Sequence, residues 1–398
     1  MLSLSNMAKG INDSPTLALS AKAKELKEQG IDIIGFGAGE PDFDTPAYIK
    51  NAAKTALDKG LTKYTAASGI IELKKAICKK LKEDNGLDYE PADIVVSTGA
   101  KQALFNSLAA LVNPGDEVII PSPYWVSYEE LVKMVNGTPV IVKTTEENGF
   151  KITKQQLLDA STDKTKALLL NNPNNPNGSI YTKEDLQDIA DVAVEKGFYV
   201  ISDEIYEKLI YGGEKHISIA SLGEQIKKQT IVINGVSKAY AMTGWRIGYS
   251  ACEREISKVI GSIQSHCTSN PCSIAQYASV EAFYGGEDEQ RAMVAEFDKR
   301  RVYMYEKINS IEGISCLLPQ GAFYIMVNIS KLFGKNSDGF VINNSDDFSK
   351  ALLDKVKVVV IPGSAFGDTN YVRLSYAMGM DSIVKGLDRI EEFVKSLS

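Results

Sequence analysis

Histidine and cysteine are scarce in this chain of 398 residues, and acidic residues outnumber basic ones. The two histidines, His216 and His266, lie far apart in the sequence, which leaves little basis for a zinc site or a histidine-dependent triad. The net charge of −7 argues against a nucleic-acid surface, which needs a basic patch. It does not restrict an active site, because the charge of one local site can oppose the total.

The sequence also predicts neither a targeting signal nor a membrane-spanning segment. The N-terminus has no basic stretch before an apolar core, and no apolar run approaches membrane-spanning length. The cysteines are odd in number and have no paired spacing, which predicts buried free thiols in a reducing compartment. We therefore expect a cytoplasmic protein with five unpaired cysteines: Cys78, Cys252, Cys267, Cys272 and Cys316.

Strand-like and helix-like segments alternate through the middle of the chain. Short apolar runs at 117–120, 167–170, 199–202 and 231–233 are typical of buried strands, and helical patterns separate most of them. This alternation predicts an α/β fold, with helices on both faces of a mostly parallel sheet. The length predicts two domains: a large domain at 46–285 and a small domain made of 1–45 and 286–398.

The segment from Asn234 to Tyr249 brings a lysine, a serine and an arginine close together just after a predicted strand. Ligands of open α/β sheets bind at such strand ends. Lys238 has small or apolar neighbours, which disfavour its charged form and favour the nucleophilic amine. With Ser237 and Arg246, which suit phosphate, the segment predicts a phosphorylated aldehyde cofactor bound as a Schiff base. The alternative is a surface lysine in a loop.

Polar residues follow two further predicted strands. Asp203 comes directly after residues 199–202, where an ionised carboxylate would keep a pyridine nitrogen protonated and make the ring an electron sink. Tyr206 could direct its phenol at the oxygen of that ring. Residues 171–178 contain two Asn-Pro pairs and a glycine, which force a turn. A turn alone does not explain so many amides at a strand end, whereas a solvated acid remains the alternative for Asp203.

Two basic residues are candidates for binding anions. Lys101 follows Gly99 and Ala100 at a predicted helix start, where backbone N–H groups can bind phosphate. A cation at this end opposes the helix dipole, so we expect an anion nearby, either the cofactor phosphate or a substrate carboxylate. Arg373 lies in an alternating strand pattern at 371–376 and could bind a carboxylate through two parallel bonds. An exposed lysine and a solvated edge strand are the alternatives.

A glycine-rich stretch at 35–39 suggests a dinucleotide site but does not have the required spacing. Glu40 occupies the position of the third glycine, and a proline-containing segment follows in place of a helix. A dinucleotide-binding function is therefore rejected.

These motifs resemble those of the fold-type I, pyridoxal 5'-phosphate-dependent class I aminotransferases, in particular the bacterial aspartate aminotransferases of subgroup I-beta. The resemblance extends from Gly-Glu-Pro-Asp-Phe-Asp-Thr-Pro at 39–46 to Val-Arg-Leu-Ser-Tyr at 372–376. The specific motifs are Ser-Lys-Ala-Tyr-Ala-Met-Thr-Gly-Trp-Arg-Ile-Gly at 237–248 and Asp-Glu-Ile-Tyr at 203–206. The resemblance implies a seven-stranded sheet in the large domain, a smaller α+β domain, pyridoxal 5'-phosphate as cofactor, and a homodimer with shared active sites.

The resemblance also implies individual roles, with Lys238, Asp203 and Tyr206 as the catalytic residues. Lys238 would carry the cofactor and then act as the base, while Asp203 would pair with the ring nitrogen. The implied cofactor-binding residues are Gly99, Ala100, Lys101, Trp125, Asn175, Asp203, Tyr206, Ser237, Lys238 and Arg246, with Tyr64 from the second subunit. The implied substrate-binding residues are Gly37, Trp125, Asn175 and Arg373, with Lys101, Ser14 and Thr16 near the distal carboxylate.

The expected function is transfer of an amino group between L-aspartate and 2-oxoglutarate. Two departures from the family pattern, Ala100 for a glycine and Asn-Pro-Asn-Gly for Asn-Pro-Thr-Gly, bear on substrate preference. The nearest rival function is the same chemistry on aromatic amino acids or prephenate. More distant rivals are a lyase or cyclopropane-forming synthase, a cofactor-binding regulatory module, and a nucleotide-dependent α/β enzyme.

Overall fold

A computed structural model describes residue 3, residues 5–12 and residues 15–398 of the chain. Its strands are β1 (Ile34–Gly35), β2 (Ile94–Ser97), β3 (Glu117–Ser122), β4 (Thr138–Lys143), β5 (Thr165–Asn171), β6 (Tyr199–Asp203), β7 (Thr230–Gly235), β8 (Gly248–Ala251), β9 (Ser315–Cys316), β10 (Tyr324–Asn328), β11 (Asn336–Ser337), β12 (Phe340–Val341), β13 (Val358–Val359), β14 (Ile361–Pro362) and β15 (Tyr371–Ser375). Its α-helices are α1 (Asn6–Gly10), α2 (Pro15–Glu28), α3 (Ala47–Asp58), α4 (Ile71–Asn85), α5 (Ala100–Leu111), α6 (Ser127–Met134), α7 (Lys154–Ala160), α8 (Lys183–Lys196), α9 (Glu224–Gln229), α10 (Arg254–Cys267), α11 (Ser273–Tyr284), α12 (Glu287–Asn309), α13 (Ser345–Val356) and α14 (Met380–Ser396).

A seven-stranded sheet forms the centre of the larger part of the molecule. Its strand order is β2-β8-β7-β6-β5-β3-β4, and β8 alone runs antiparallel to its neighbours. Helices cover both faces, so side chains of β5 and β6 pack alternately into two cores: Leu169 and Ile201 into one, Leu168 and Val200 into the second. The predicted mostly parallel sheet with helices on both faces is confirmed.

Local sequence signals explain several boundaries of these elements. Thr182 caps α8 by accepting a hydrogen bond from the Asp185 amide, and the Asp185 carboxylate accepts one from the Thr182 amide. The same helix ends at Gly197, which has φ of +76°. A capping box at the start and a glycine at the end therefore set the bounds of α8, and both are local signals of the sequence.

A four-stranded antiparallel sheet, ordered β14-β15-β10-β9, lies in the C-terminal part of the chain. Arg373 in β15 pairs with Met326 of β10 and Ile361 of β14, so β15 is an interior strand. A solvated edge strand, the alternative for this segment, is wrong. The N-terminal part joins this region through the parallel pairing of β1 with β13.

The five cysteines were predicted to be buried free thiols, and the predicted burial is wrong for two of them. Cys252 and Cys316 are buried and Cys78 is half-buried, but Cys267 and Cys272 are exposed. The exposed pair flanks the connection between the end of α10 and the start of α11, where short loops meet solvent. All five are free thiols. Within the described residues, none of the helices is long and apolar enough to cross a membrane.

Candidate active site

The loops after β2, β3, β5, β6 and β7 meet at one edge of the large sheet. These strands point the same way, because β8 is antiparallel to both β2 and β7. The loops border a cavity of about 700 Å³, and Arg373 of the smaller sheet reaches its wall. The site therefore lies at the carboxyl ends of the parallel strands, between the two sheets.

Lys238 lies at the floor of this cavity, just beyond β7. Its Nζ donates a 2.6 Å hydrogen bond to the Gly39 carbonyl, and it lies 5.8 Å and 5.7 Å from the ring centres of Tyr206 and Phe323. The pKa of Lys238 is lowered to about 8, chiefly by burial; Glu40 opposes this shift, and the positive charges of Arg246 and Arg373 contribute to it. The predicted loss of hydration around this amine is present, so a neutral, nucleophilic fraction is accessible near neutral pH.

Asp203 is the last residue of β6 and its carboxylate is held at both oxygens. The Tyr128 hydroxyl donates to Oδ2 at 2.8 Å, and the Ile205 amide donates to Oδ1 at 3.2 Å. Burial raises the pKa of Asp203 to about 6, while these two hydrogen bonds act in the opposite direction. The carboxylate is therefore largely ionised at neutral pH although it is only 4% exposed.

The N-terminus of α5 forms the anion-binding side of the cavity. Gly99 precedes the helix with φ of +83°, and an added Cβ there would overlap the Arg246 guanidinium. That guanidinium is held by a 2.8 Å bond from Nη1 to the Thr243 carbonyl. Ser237 also lines the cavity. A helix N-terminus, a hydroxyl and an arginine together form a site suited to phosphate.

Arg373 is buried, and only part of its hydrogen-bonding capacity is used. Its Nη1 donates to the Asn175 side chain and its Nη2 to the Gly37 carbonyl, both at 3.1 Å, while its buried Nε has no partner. Its guanidinium stacks on the ring of Tyr324 at 4.3 Å and on that of Phe366 at 5.0 Å. Burial lowers the pKa of Arg373, so a bound carboxylate would compensate for the lost hydration.

The cavity is rich in cations that lack acidic partners. Lys101 extends over the Trp125 ring, with 4.8 Å from Nζ to the ring centre, and burial lowers its pKa with help from Arg246. Among the residues that the structure describes, none of the following cavity cations has a carboxylate oxygen within 4.0 Å: Lys101, Lys238, Arg246 and Arg373. The local charge therefore opposes the net charge of the chain and favours a ligand with several negative groups.

These residues fit a phosphorylated pyridine aldehyde as a resident cofactor. The fit is chemical: an amine with a lowered pKa, a buried carboxylate, and an anion site at a helix N-terminus line one cavity. The unpartnered Nε of Arg373 adds a separate carboxylate site on the cavity wall. The cavity therefore offers separate places for a phosphorylated ring and for a carboxylate.

Most residues singled out in the sequence line this cavity: Thr16, Gly37, Ala100, Lys101, Trp125, Asn175, Asp203, Tyr206, Ser237, Lys238, Arg246 and Arg373. Gly99 directly precedes Ala100 in the sequence. Tyr64 is 91% exposed and does not line the cavity of its own chain. Ser14 lies outside the described residues.

Sequence reasoning missed several lining residues. Tyr128 lies in the first turn of α6, three residues after Trp125, which precedes that helix, and the two rings meet edge to face at 5.4 Å. Asn171 pairs directly with Asp203 across β5 and β6, and Tyr324 bonds the Tyr206 hydroxyl at 3.1 Å. Glu40, which disqualified the dinucleotide motif, accepts a hydrogen bond from Thr243 at the cavity wall.

Comparisons with known proteins identify relatives of this chain over nearly its whole length. A family model described as aminotransferase class I and II matches residues 31–390. An aspartate aminotransferase of Bacillus sp. (strain YM-2) is 49% identical over 98% of this chain and 99% of its own. An aspartate/prephenate aminotransferase of Cereibacter sphaeroides is 45% identical over the full length of both chains. The crystal structure of the Rhizobium meliloti aspartate aminotransferase superposes with a TM-score of 0.97 at 41% identity, covering all of both chains.

Proposed function

The chain belongs to the class I and II aminotransferases, and on that premise we propose that it is an aspartate aminotransferase dependent on pyridoxal 5'-phosphate. The observation that carries the proposal is one cavity that holds a lysine of lowered pKa, a buried aspartate and an arginine whose Nε has no hydrogen-bond partner. The lysine would exchange places with the substrate amine, the aspartate would hold a proton on a ring nitrogen, and the arginine would bind a carboxylate.

The cofactor, when bound, supplies an aldehyde that condenses with amines and a ring that accepts electron density from the substrate α-carbon. Lys238 would hold the aldehyde through its Nζ, and the same Nζ, once free, would accept the α-proton of the substrate. Its pKa of about 8 suits this role, because a base that titrates near the working pH can both accept and return a proton. Asp203 would hold a proton at the pyridine nitrogen, and Tyr206 and Asn175 would bind the ring oxygen.

The remaining proposed contacts also separate the cofactor from the substrate carboxylate. Trp125 would pack against the ring, while Ser237, Arg246 and the Gly99–Ala100 backbone would hold the phosphate. Arg373 binds the substrate α-carboxylate, and its existing bonds to Asn175 and Gly37 orient the guanidinium in advance.

We assign the distal carboxylate of aspartate to Lys101, with Thr16 and Ser14. Two features support this assignment over the cofactor phosphate. Lys101 extends toward Trp125, and the Arg246 guanidinium already lies beside Gly99 at the helix N-terminus. Lys101 therefore remains available for a second anion.

The active site is proposed to be complete only in a homodimer. Tyr64 is almost fully exposed in one chain, which supports its contribution to the phosphate site of the partner subunit. Within each subunit, residues 46–285 are proposed as the cofactor-binding domain. Residues 1–45 and 286–398 are proposed as the smaller domain that carries Arg373.

Substituting Lys101→Met tests the choice of substrate, since it removes the charge and keeps an unbranched chain. We expect kcat/KM for L-aspartate to fall about 10- to 100-fold, the value of a charged hydrogen bond, while L-alanine changes little. Steady-state kinetics with both donors and 2-oxoglutarate provide the measurement. Equal losses on both donors, or a matching loss of cofactor affinity, would place Lys101 at the phosphate instead.

A second candidate function is the same transfer with prephenate as the amino acceptor. It is favoured by the full-length similarity to an aspartate/prephenate aminotransferase. A panel of oxo acids, with aspartate as the donor, separates the two candidates. A kcat/KM for prephenate equal to or above that for 2-oxoglutarate would support the second function.

A further inference from the structure

We propose that Asn171 is a positioning residue whose side-chain amide sets the relative placement of Asp203 and Asn175. This inference rests on the proposed function, because these two residues are assigned to the nitrogen and to the oxygen of the cofactor ring. Asn171 itself takes no part in the steps of the proposed reaction.

The hydrogen bonds of Asn171 join two separate segments. It is the last residue of β5, pairs with Asp203 across the sheet, and is 4% exposed. Its Nδ2 donates to the Asp203 carbonyl at 3.0 Å, and its Oδ1 accepts from the Asn175 amide at 2.7 Å. Because the amide group is planar, these two bonds fix the distance and the angle between the strand end and the asparagine-rich turn.

The connection continues from the turn to the second sheet. The side chain of Asn175 accepts a hydrogen bond from Arg373, which lies on β15. Asn171 is thus the central link in a buried chain of contacts from the cofactor acid to the carboxylate-binding arginine. Displacement of the turn would move Asn175 away from Arg373 and from the ring oxygen together.

Such a link has a functional consequence because reacting groups must be held within about 0.5 Å of their productive positions. The turn contains two prolines and no regular secondary structure, so its placement depends on side-chain bonds such as this one. Loss of the Asn171 amide also leaves the buried Asn175 N–H without its acceptor.

The neighbouring Asn172 provides a matched control. It is also buried, at 1% exposure, and its side chain also joins two backbone groups. Its Oδ1 accepts from the Tyr181 amide at 3.1 Å, and its Nδ2 donates to the Ile217 carbonyl at 3.5 Å. In contrast to Asn171, Asn172 does not line the cavity.

The experiment compares Asn171→Ala with Asn172→Ala in two binding titrations and in urea unfolding of the apoprotein. The first titration measures the Kd of the apoprotein for pyridoxal 5'-phosphate. The second measures the Kd of the cofactor-saturated protein for maleate, an unreactive dicarboxylate. We expect Asn171→Ala to raise both Kd values at least about tenfold, while Asn172→Ala destabilises the fold similarly and changes each less than about threefold.

Asn171→Asp keeps the test decisive if the alanine variant does not fold. It has the same shape and retains an acceptor for Asn175, but it lacks the donor to Asp203, so the cofactor Kd should again rise at least about tenfold. Equal effects of Asn171→Ala and Asn172→Ala on both Kd values, or unchanged Kd values in the Asn171 variants, would overturn the inference. If the unsubstituted protein does not bind pyridoxal 5'-phosphate, the proposed function itself fails.

Discussion

Burial disfavours the charged forms of both Lys238 and Asp203, so it shifts their pKa values in opposite directions. The pKa of Lys238 falls to about 8 and that of Asp203 rises to about 6. At neutral pH the folded apoprotein therefore keeps a largely ionised acid and a largely protonated amine, although burial disfavours both charges. A ligand that pairs with both groups relieves this cost, which is how a preorganised site favours its cofactor.

The Tyr128→Phe substitution tests how the ionised state of Asp203 is maintained. Removing the hydroxyl removes a hydrogen bond that lowers the pKa of Asp203, so that pKa should rise further above 6. The affinity of the apoprotein for pyridoxal 5'-phosphate should then decline from a higher pH as the solution is acidified. We expect the acid limb to shift upward by about one pH unit.

Tyr124→Phe is the control for that titration. The Tyr124 hydroxyl also donates to a carboxylate, that of Glu129 at 2.6 Å, but neither residue lines the cavity. Its pH profile should match that of the unsubstituted protein. If both variants gave the same profile, Tyr128 would not act through Asp203.

The sequence points to the groups proposed to contact the cofactor, but not to the supporting roles of Tyr128 and Asn171. Lys238 and Asp203 were predictable because each follows an apolar run at the carboxyl edge of a parallel sheet. Tyr128 depends on how α6 is rotated against that edge, and Asn171 on the register of β5 against β6. Neither rotation nor register can be read from one sequence, because both result from packing over long sequence separations.

At the scale of elements, α5 and β8 come close together where the anion site forms. Gly248 at the start of β8 faces the first residues of α5, and a Cβ there would overlap the backbone of Gly99 and Ala100. The close approach lets the helix N-terminus and the preceding Arg246 share one anion. The glycine is therefore required by the distance between two elements.

Gly248→Ala should separate these elements and weaken the phosphate site selectively. We expect the affinity of the apoprotein for pyridoxal 5'-phosphate to fall at least about tenfold, with little change for pyridoxal, which has no phosphate. Gly261→Ala in α10 is the control, because an added Cβ meets no atom within 4 Å. Equal losses for both ligands in Gly248→Ala would indicate a general distortion of the site.

The elements around this contact were predicted unevenly. Strands β3, β5, β6 and β7 lie close to their predicted positions, and α8 carries clear capping signals at both ends. Helices α3, α4, α10 and α11 were not predicted individually. In α11, buried residues are alanine, serine and glutamine, so burial there follows small size and close packing rather than an apolar stripe.

At the scale of the whole molecule, the proposed homodimer predicts complementation between two inactive variants. Lys238→Ala removes the base, and Tyr64→Ala removes the phosphate contact that each subunit is proposed to lend its partner. A mixed dimer has one site with both residues intact, so equal mixing after subunit exchange should restore about a quarter of full activity. Activity assays before and after exchange provide the measurement.

The control for complementation places both substitutions in the same chain. When that double variant is mixed with unsubstituted protein, the first site of each mixed dimer has the lysine but lacks the tyrosine of the partner. The second site has the tyrosine but lacks the lysine. Mixed dimers should then add no activity beyond that of the unsubstituted dimers. Failure of the two single variants to restore activity would mean that Tyr64 serves no partner site.

Lys238 and its cavity are proposed to transfer an amino group from a dicarboxylic amino acid to a bound cofactor. The most direct test is the visible absorption spectrum of the purified, cofactor-loaded protein before and after addition of L-aspartate alone. We predict loss of the band of the lysine-bound aldehyde, release of one oxaloacetate per site, and recovery of the band on adding 2-oxoglutarate. An unchanged band, or an equal response of Lys238→Ala, would contradict the account.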